Sequence, residues 1–221
     1  MSHHGAVHTA DDLSTRALLR TTLIVVGSLA LAALVAFPLR EPIFVAVAGG
    51  LGGSPLGPLF AAVAEHGMYL FVLAAAAGAV WTWLRDRARF WLLATGGIGV
   101  IAAYLLSELV KVIVTEERPC RTLDVQGALA CPAVGDWSWP SNHSVLAAAF
   151  ATALLLTFPW AARWLIAWAA LLAFSRLAAG VHYLHDVLSG LALGTLVVVA
   201  VVLAMRALVL RVGARPGSGL G

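Results

Sequence analysis

The residues best suited to chemistry fall in three short segments in the second half of the chain. In the first segment, Lys111 and Arg118 are seven residues apart, nearly two turns of a helix, and Pro119 follows directly. Both cations can therefore project from one face of a helix end and bind a single anion. The alternative is that two basic side chains simply extend from a helix end towards water. Lys111 is also the only lysine among 14 basic residues, which favours a need for a compact, flexible ammonium here, with chance as the alternative.

The second segment is Pro140, Ser141, Asn142 and His143, at the start of an apolar stretch. The hydroxyl of Ser141 and the free backbone N–H groups of a helix N-terminus can bind an anion. His143 places a titratable group beside them. The alternative is that Ser141 is an ordinary N-cap, which is a common place for serine.

The third segment contains Arg176, His182, His185 and Asp186, around a turn at Gly180. Because His182 and Asp186 are four residues apart, the carboxylate can accept from one imidazole nitrogen and leave the other free to attack. Arg176 lies at the end of an apolar stretch, where an unpaired charge is costly and indicates function. Asp186 as a plain N-cap is the competing interpretation, and His185 is interpreted as a bystander.

The elements that position these segments are predicted to be membrane-spanning helices. Hydrophobic residues make up 61% of the chain and charged residues 11%, against roughly 25% charged in soluble domains. A span needs about 20 apolar residues, and the apolar stretches lie at 21–39, 59–84, 90–110, 144–158, 164–179 and 187–205. The sequence therefore predicts an all-α, polytopic membrane protein, a six-transmembrane-helix bundle over residues 21–205. Residues 1–20 are expected to form a flexible cytoplasmic tail, 206–221 a basic cytoplasmic tail, and the glycine-rich stretch 42–58 a segment along the interface.

The distribution of basic residues predicts which side of the membrane each loop faces. With both termini cytoplasmic, nine arginines lie inside and five basic residues outside, namely Arg40, Lys111, Arg118, Arg121 and Arg176. All three segments then lie at the extracytoplasmic face of the plasma membrane. Cys120 and Cys131 lie there too, where a disulfide between them can persist. Asp11 and Asp12 argue against a cleaved signal peptide.

Three cations, a serine, two histidines and an aspartate at one membrane face fit a phosphoryl-transfer site. A metal-dependent site would need several carboxylates or histidines close together, yet Asp186 is the one carboxylate among the motif residues of the three segments. Glu116 and Glu117 adjoin Arg118 and are interpreted as its solvated neighbours. No metal or other cofactor is therefore expected. A transporter or channel is the competing class, but it would spread ionisable groups over several depths.

The remaining polar and small residues are given structural interpretations. Glu65, His66 and Glu108 belong to no motif and are expected to pair within the bundle. Gly190 and Gly194 form a small-xxx-small pattern that lets another helix pack closely. No basic run points to nucleic acid as a partner.

In order and spacing, the three segments resemble the three-part signature of the type 2 phosphatidic acid phosphatase superfamily. The matching motifs are KxxxxxxRP from Lys111 to Pro119, PSNH from Pro140 to His143, and SRxxxxxHxxxD from Ser175 to Asp186. The resemblance covers about residues 90–194. It departs from the signature at Asn142, where many members have glycine. Asparagine tolerates a left-handed backbone, but its side chain would narrow the site.

The resemblance implies a lipid phosphatase that works through a covalent phosphohistidine. His182 would attack phosphorus, Asp186 would orient His182, and His143 would protonate the leaving oxygen and then activate water. The phosphate oxygens would be held by cations and helix N-terminal groups: Lys111, Arg118, Arg176, Ser141 and the Asn142 backbone. These roles agree with the chemistry, because a covalent step needs a positioned nucleophile and phosphoryl charge needs fixed cations.

The lipid itself is less constrained by the sequence than the chemistry. An outward-facing site in a small protein favours a polyprenyl phosphate or diphosphate carrier of envelope synthesis. Phosphatidate and phosphatidylglycerophosphate are the alternatives, and a phosphotransferase would share the first half-reaction. The expected partners are the lipid substrate and the membrane, and the sequence leaves the oligomeric state open.

Overall fold

The chain folds into helices in the computed structural model, which describes residues 3–213 and, for side chains, residues 14–211. No β-strand occurs in this range, so the predicted all-α class is confirmed. The α-helices, in chain order, are α1 His3–Ala36, α2 Arg40–Phe44, α3 Gly50–Gly52, α4 Gly57–Arg85, α5 Arg87–Val114, α6 Pro119–Thr122, α7 Asn142–Thr157, α8 Ala162–Ala178 and α9 Leu184–Gly213.

Five helical segments of the described chain are long and apolar enough to cross a membrane. They are Ser14–Gly52, Gly57–Arg85, Arg87–Thr122, Pro159–Ala178 and Leu184–Arg211. The predicted span at 144–158 corresponds to α7, which is apolar but has 16 residues. That length gives about 24 Å of helix against a hydrocarbon core of about 30 Å. The multi-pass membrane character is supported, while the count of six crossings stays a prediction.

Both ends of the bundle extend beyond the predicted spans. The stretch 1–20 is helical from His3 onwards, so α1 begins well before residue 21. Alanine, leucine and arginine at 16–20 favour helix despite the nearby polar residues, which explains why the helix does not stop there. Helix α9 continues past Met205 to Gly213, and residues 214–221 of the predicted basic tail lie outside the described residues. The cytoplasmic placement of both tails stays a prediction.

The stretch 42–58 continues as short helical turns rather than as an irregular segment. It comprises most of α2, a π-helical turn at Val45–Gly49, α3 and the start of α4. Phe44 and Ala48 are buried with Leu177 and Tyr183 in one apolar cluster. The stretch therefore packs on the ends of α8 and α9 that flank the third segment. Its position along the membrane interface stays a prediction.

Helix α7 lies at the centre of the bundle, packed against α5, α8 and α9. Its buried residues are mostly alanine, which lets neighbouring helices approach closely. A Cβ atom on Gly190 would lie 2.8 Å from the Ser141 carbonyl oxygen, and one on Gly194 would collide with the Val145 carbonyl oxygen. The packing role predicted for the two glycines is thus confirmed. This packing holds the N-terminus of α7 against the first turns of α9.

Candidate active site

The turn between α8 and α9 carries His182 into the interior. Gly180 has a positive φ of 85°, a conformation that residues with a Cβ rarely adopt. The backbone of Gly127 packs directly against it, so the loop between α6 and α7 covers the turn. His182 keeps only 1% of its surface exposed.

The hydrogen bonds of His182 define which of its ring nitrogens is protonated and which carries the lone pair. Nε2 lies 2.9 Å from Nη1 of Arg118, and a guanidinium can only donate, so Nε2 is the acceptor. The ring hydrogen is therefore on Nδ1, which lies 3.3 Å from Oδ2 of Asp186. Burial, followed by the charges of Arg118 and Arg176, holds the pKa of His182 well below its usual value. The imidazole is thus neutral, with its lone pair on Nε2.

Asp186 receives donors from several sides within the buried interior. Oδ2 accepts from the hydroxyl of Ser138 at 2.6 Å and from the backbone N–H of Tyr183 at 2.8 Å. Asp186 is the third residue of α9, so the bond from Tyr183 is one half of a capping box rather than a plain N-cap. The same carboxylate therefore closes the start of α9 and fixes the ring of His182.

Ser138 and the pair Glu116–His185 are residues of this site that the sequence interpretation missed or misread. Ser138 Oγ also lies 3.3 Å from Nδ1 of His182. His185 is not a bystander, because its Nε2 lies 3.0 Å from Oδ1 of Asp186 and 3.1 Å from Oε2 of Glu116. Glu116 is partly buried by this contact, so its interpretation as a solvated neighbour of Arg118 is wrong.

Among the described side chains, Glu116, His185 and Asp186 form the group best placed to hold a cation. One ligand atom from each lies within 4.8 Å of the others. All three are drawn together by contacts that the protein makes without an ion, since the imidazole of His185 lies between the two carboxylates. The expectation that catalysis needs no metal stays a prediction.

Lys111 and Arg118 converge on a carboxylate of the loop, but not from one helix face as predicted, because α5 ends at Val114 and Arg118 has an extended backbone ahead of α6. Oδ1 of Asp136 accepts from Nη2 of Arg118 at 2.8 Å and from Nζ of Lys111 at 3.1 Å. The guanidinium also donates from Nε to the Asp136 carbonyl and from Nη1 to the Val181 carbonyl. Burial alone would raise the pKa of Asp136, but the bonds and charges of Arg118 and Lys111 hold the pKa below its usual value.

Arg176 and Ser141 bring donors that the protein leaves without partners. Arg176 is buried, its Nη1 donates to the Ala64 carbonyl at 3.2 Å, and its Nε has no partner among the described residues. The buried hydroxyl of Ser141 also has none. Ser141 occupies the N-cap position of α7, yet its side chain makes no capping bond. The ordinary N-cap interpretation is therefore wrong for this hydroxyl.

His143 lies in the first turn of α7 within electrostatic range of all three cations, Lys111, Arg118 and Arg176. It also interacts electrostatically with His182. The structure therefore places the three sequence segments around one buried centre, which the loop between α6 and α7 closes from one side.

Asn142 ties the start of α7 to α5. Its Oδ1 accepts from the hydroxyl of Ser107 at 2.6 Å, and its Nδ2 donates to Glu108. Its backbone is helical, so the left-handed conformation considered for this residue does not occur. Pairing within the bundle is confirmed for Glu108. Glu65 and His66 lie 3.8 Å apart on the exposed surface, and the ring of His66 stacks on Tyr69.

Cys120 and Cys131 are joined by a disulfide. The bond links α6 to the loop that carries Asp136 and Ser138. Arg121 adds a hydrogen bond to the Pro132 carbonyl across the same loop. The predicted pairing of the two cysteines is present, and it fixes the loop that covers the site.

Comparison with known proteins assigns the chain to a family. Residues 91–209, more than half of the chain, match the family model of the PAP2 superfamily. An undecaprenyl-diphosphatase of Sulfolobus acidocaldarius is 33% identical over 102 residues, which are 44% of this chain and 48% of that protein. The chain thus spans about half the length of this curated relative.

Two crystal structures share the fold. One is the transmembrane PAP2-type phosphatidylglycerolphosphate phosphatase of Bacillus subtilis, with a TM-score of 0.60, 22% identity, and coverage of 88% of this chain and 96% of that chain. The other is LpxE of Aquifex aeolicus, with a TM-score of 0.57, 21% identity, and coverage of 74% and 94%.

The helical bundle and these matches define a class of integral membrane phosphatases. The chain belongs to the PAP2 superfamily. The resemblance of its three motifs to the type 2 phosphatidic acid phosphatase signature is thereby confirmed.

Proposed function

We propose that this PAP2-type membrane lipid phosphatase releases phosphate from a polyprenyl phosphate or diphosphate at the extracytoplasmic face of the plasma membrane. The observation that carries the proposal is the state of His182. Its Nε2 is a neutral acceptor, its Nδ1 faces Asp186, and cations surround it. A nucleophilic imidazole needs this arrangement to attack phosphorus.

In the first half-reaction, the lone pair on Nε2 of His182 attacks phosphorus. The bond between phosphorus and the leaving oxygen breaks, and His143 gives that oxygen a proton. Asp186 accepts from Nδ1–H and stabilises the positive charge that develops on the ring. The charge on the phosphoryl oxygens is balanced by the donors of Lys111, Arg118, Arg176, Ser141 and the Asn142 backbone.

In the second half-reaction, His143 removes a proton from water. The hydroxide attacks phosphorus, the phosphorus–nitrogen bond to His182 breaks, and orthophosphate leaves. His143 is then protonated again for the next cycle. An alcohol in place of water would receive the same phosphoryl group, so a lipid phosphotransferase is the alternative that shares the first half-reaction.

An apolar groove supports a lipid with a long hydrocarbon chain. A cavity of about 690 Å³ lies between α1, α5 and α9. Its walls are apolar except where Glu116 and His185 line it, and His185 is next to Asp186 in the sequence. The lining also includes Val26, Ala33, Val110 and Leu193. A lipid chain in this groove would bring its phosphate group towards His182. The undecaprenyl-diphosphatase relative favours the polyprenyl class over phosphatidate and phosphatidylglycerophosphate.

Phosphate release from a panel of lipids tests the substrate. Purified protein is given polyprenyl monophosphate, polyprenyl diphosphate, phosphatidate and phosphatidylglycerophosphate, with the His182→Ala variant in parallel. The highest kcat/KM for a polyprenyl substrate supports the proposal. A higher kcat/KM for phosphatidate or phosphatidylglycerophosphate would show that the proposed substrate is wrong. Formation of a phosphorylated alcohol without free phosphate would indicate a phosphotransferase.

Replacing Lys111 by arginine is expected to lower kcat/KM roughly tenfold or more, although the charge is preserved. Lys111 is buried, and its Nζ reaches Asp136 as a compact charge. A planar guanidinium is larger and directs its donors differently. Arg89→Lys, the reverse exchange in an exposed ion pair with Asp86, is the control and should leave kcat/KM unchanged. An unaltered kcat/KM in Lys111→Arg would make the single lysine a matter of chance.

Phosphate release is expected to persist in excess chelator, because cations of the protein occupy the place that metals take in two-metal phosphatases. Vanadate, which mimics five-coordinate phosphorus, should inhibit competitively by bonding to His182. The Glu116→Gln variant serves as the control, since Glu116 belongs to the group best placed to hold an ion. A metal-dependent mechanism would be required if chelation stopped phosphate release, if magnesium restored that release, and if Glu116→Gln abolished it.

Cys120 and Cys131 are expected to react with membrane-impermeant thiol reagents in intact cells after mild reduction. The extracytoplasmic site requires the disulfide-bonded loop to be outside the membrane. Cys131 is exposed and Cys120 partly exposed, so the reagent can reach them once the bond is reduced. A double Cys120→Ser, Cys131→Ser variant gives the background. Labelling that appears only after lysis would show that the loop faces the cytoplasm, opposite to the predicted topology.

A further inference from the structure

Asp136 holds the donors that a substrate phosphate would use. Its Oδ1 accepts from Nη2 of Arg118 at 2.8 Å and from Nζ of Lys111 at 3.1 Å. Both cations are expected to hold phosphate oxygens, and a carboxylate oxygen accepts the same charge-assisted bonds as a phosphate oxygen. A phosphate that binds in the position of Oδ1, between these two cations, must therefore replace the carboxylate.

We propose that Asp136 is a tethered competitor of the phosphate group, which weakens binding of the product orthophosphate and so promotes its release. The inference rests on the proposed phosphate-binding roles of Lys111 and Arg118. It assigns to the loop a part in product release that the three motifs do not contain.

Nη2 is the nitrogen of Arg118 that is best placed to bind the phosphate. Nε is used by the Asp136 carbonyl, and Nη1 is used by the Val181 carbonyl and by Nε2 of His182. Nη2 is the nitrogen whose bond goes to a carboxylate that can move away. The competition is therefore local to Nη2 of Arg118 and Nζ of Lys111.

Exposure decides which partner moves when phosphate arrives. The side chain of Asp136 is 46% exposed, whereas those of Lys111 and Arg118 are 6% and 3% exposed. The carboxylate can rotate into water, but the buried cations cannot follow it. After hydrolysis the carboxylate returns at high effective concentration, because the loop keeps it within reach of both cations.

The same contact affects the nucleophile. Arg118 donates to Nε2 of His182, which is the lone pair that must attack phosphorus. Asp136 helps to hold the guanidinium in that position through its carboxylate and its carbonyl.

The experiment compares orthophosphate binding to Asp136→Asn and wild-type protein in detergent. Neutralising the competitor should lower the dissociation constant for orthophosphate about tenfold, since a charge-assisted bond no longer has to be replaced. The inhibition constant for orthophosphate should fall by the same factor, and kcat should fall as release slows. The control is Asp124→Asn, which removes an equal charge from an exposed position of the same loop and should change neither constant.

Unchanged or weaker orthophosphate binding in Asp136→Asn would overturn the inference, because Asp136 would then only position the cations. Should that variant unfold at lower temperature than wild type, Asp136→Ser keeps the backbone bond to Arg118 and gives the same comparison. The binding measurement needs no turnover. A wild-type protein that binds orthophosphate but hydrolyses no lipid would therefore contradict the proposed function, while the comparison of orthophosphate binding would still test the role of Asp136.

Discussion

The His182→Ala variant is expected to release no phosphate from any lipid substrate, with a loss of kcat on the order of 10⁴-fold or more. Nε2 of His182 is the proposed nucleophile, and no other imidazole of the described site has both a carboxylate at Nδ1 and a cation at Nε2. Alanine removes the attacking atom, so no phosphohistidine can form. The measurement is orthophosphate release by purified protein under saturating lipid.

A folding control separates lost chemistry from lost structure in this variant. His182 is buried and bonded to Arg118, so its removal leaves a cavity as well as an inactive site. The thermal unfolding midpoint and elution volume in detergent should show that the variant remains folded. The matched substitution His66→Ala removes an exposed imidazole and should retain full kcat. Substantial turnover by folded His182→Ala would remove the phosphohistidine mechanism.

The second large effect is expected for His143→Ala, with steady-state turnover lowered roughly 10²- to 10⁴-fold. Without His143, the leaving oxygen has no proton donor and water has no base. The two half-reactions should be affected unequally, because the lipid phosphate leaving from a diphosphate is a better leaving group than an alcohol. Phosphorylation of His182 can then proceed while its hydrolysis stalls.

Rapid quenching with diphosphate labelled in the terminal phosphate tests this inequality. A burst of acid-labile label on the protein, followed by slow turnover, is the expected result. The double variant His182→Ala, His143→Ala is the control and should carry no label. A His143→Ala protein that is slow without ever accumulating phosphoenzyme, with any substrate, would contradict its role in the second half-reaction.

The convergence of the three motifs could be predicted only in part from helical geometry. The four-residue spacing of His182 and Asp186 brings the two side chains together at the start of α9. Helix α5, however, ends at Val114, and Arg118 approaches Lys111 from an extended backbone ahead of α6. The spacing of Gly190 and Gly194 likewise predicts a close contact between helices, which the structure contains. The spacing of His182 and Asp186 and that of the two glycines match the helical repeat, so both can be recognised from the sequence alone.

The sequence did not indicate the contacts of Asp136, Ser138 and Glu116, because these residues lie in or beside the loop between α5 and α7. A loop has no period that links residue spacing to direction, so nothing in the sequence indicates that Ser138 meets Asp186. Its course depends on tertiary contacts, including the disulfide and the packing of Gly127 on Gly180. His185 was misread for a related reason, since its partner Glu116 lies 69 residues away along the chain.

The contact between α7 and α9 has a consequence for genetic screens. A methyl group at Gly190 would meet the Ser141 carbonyl oxygen at 2.8 Å, while the Ser141 N–H bonds to the Asp186 carbonyl at 3.2 Å. Missense alleles at Gly190 would therefore displace two motif segments at once, although the residue itself carries no reactive atom. Such alleles would be recovered among loss-of-function mutants alongside replacements of the histidines. A smaller side chain on the facing side of α7 would not relieve this contact, because the methyl group also meets the Ser141 carbonyl oxygen and the Val145 nitrogen, which belong to the backbone.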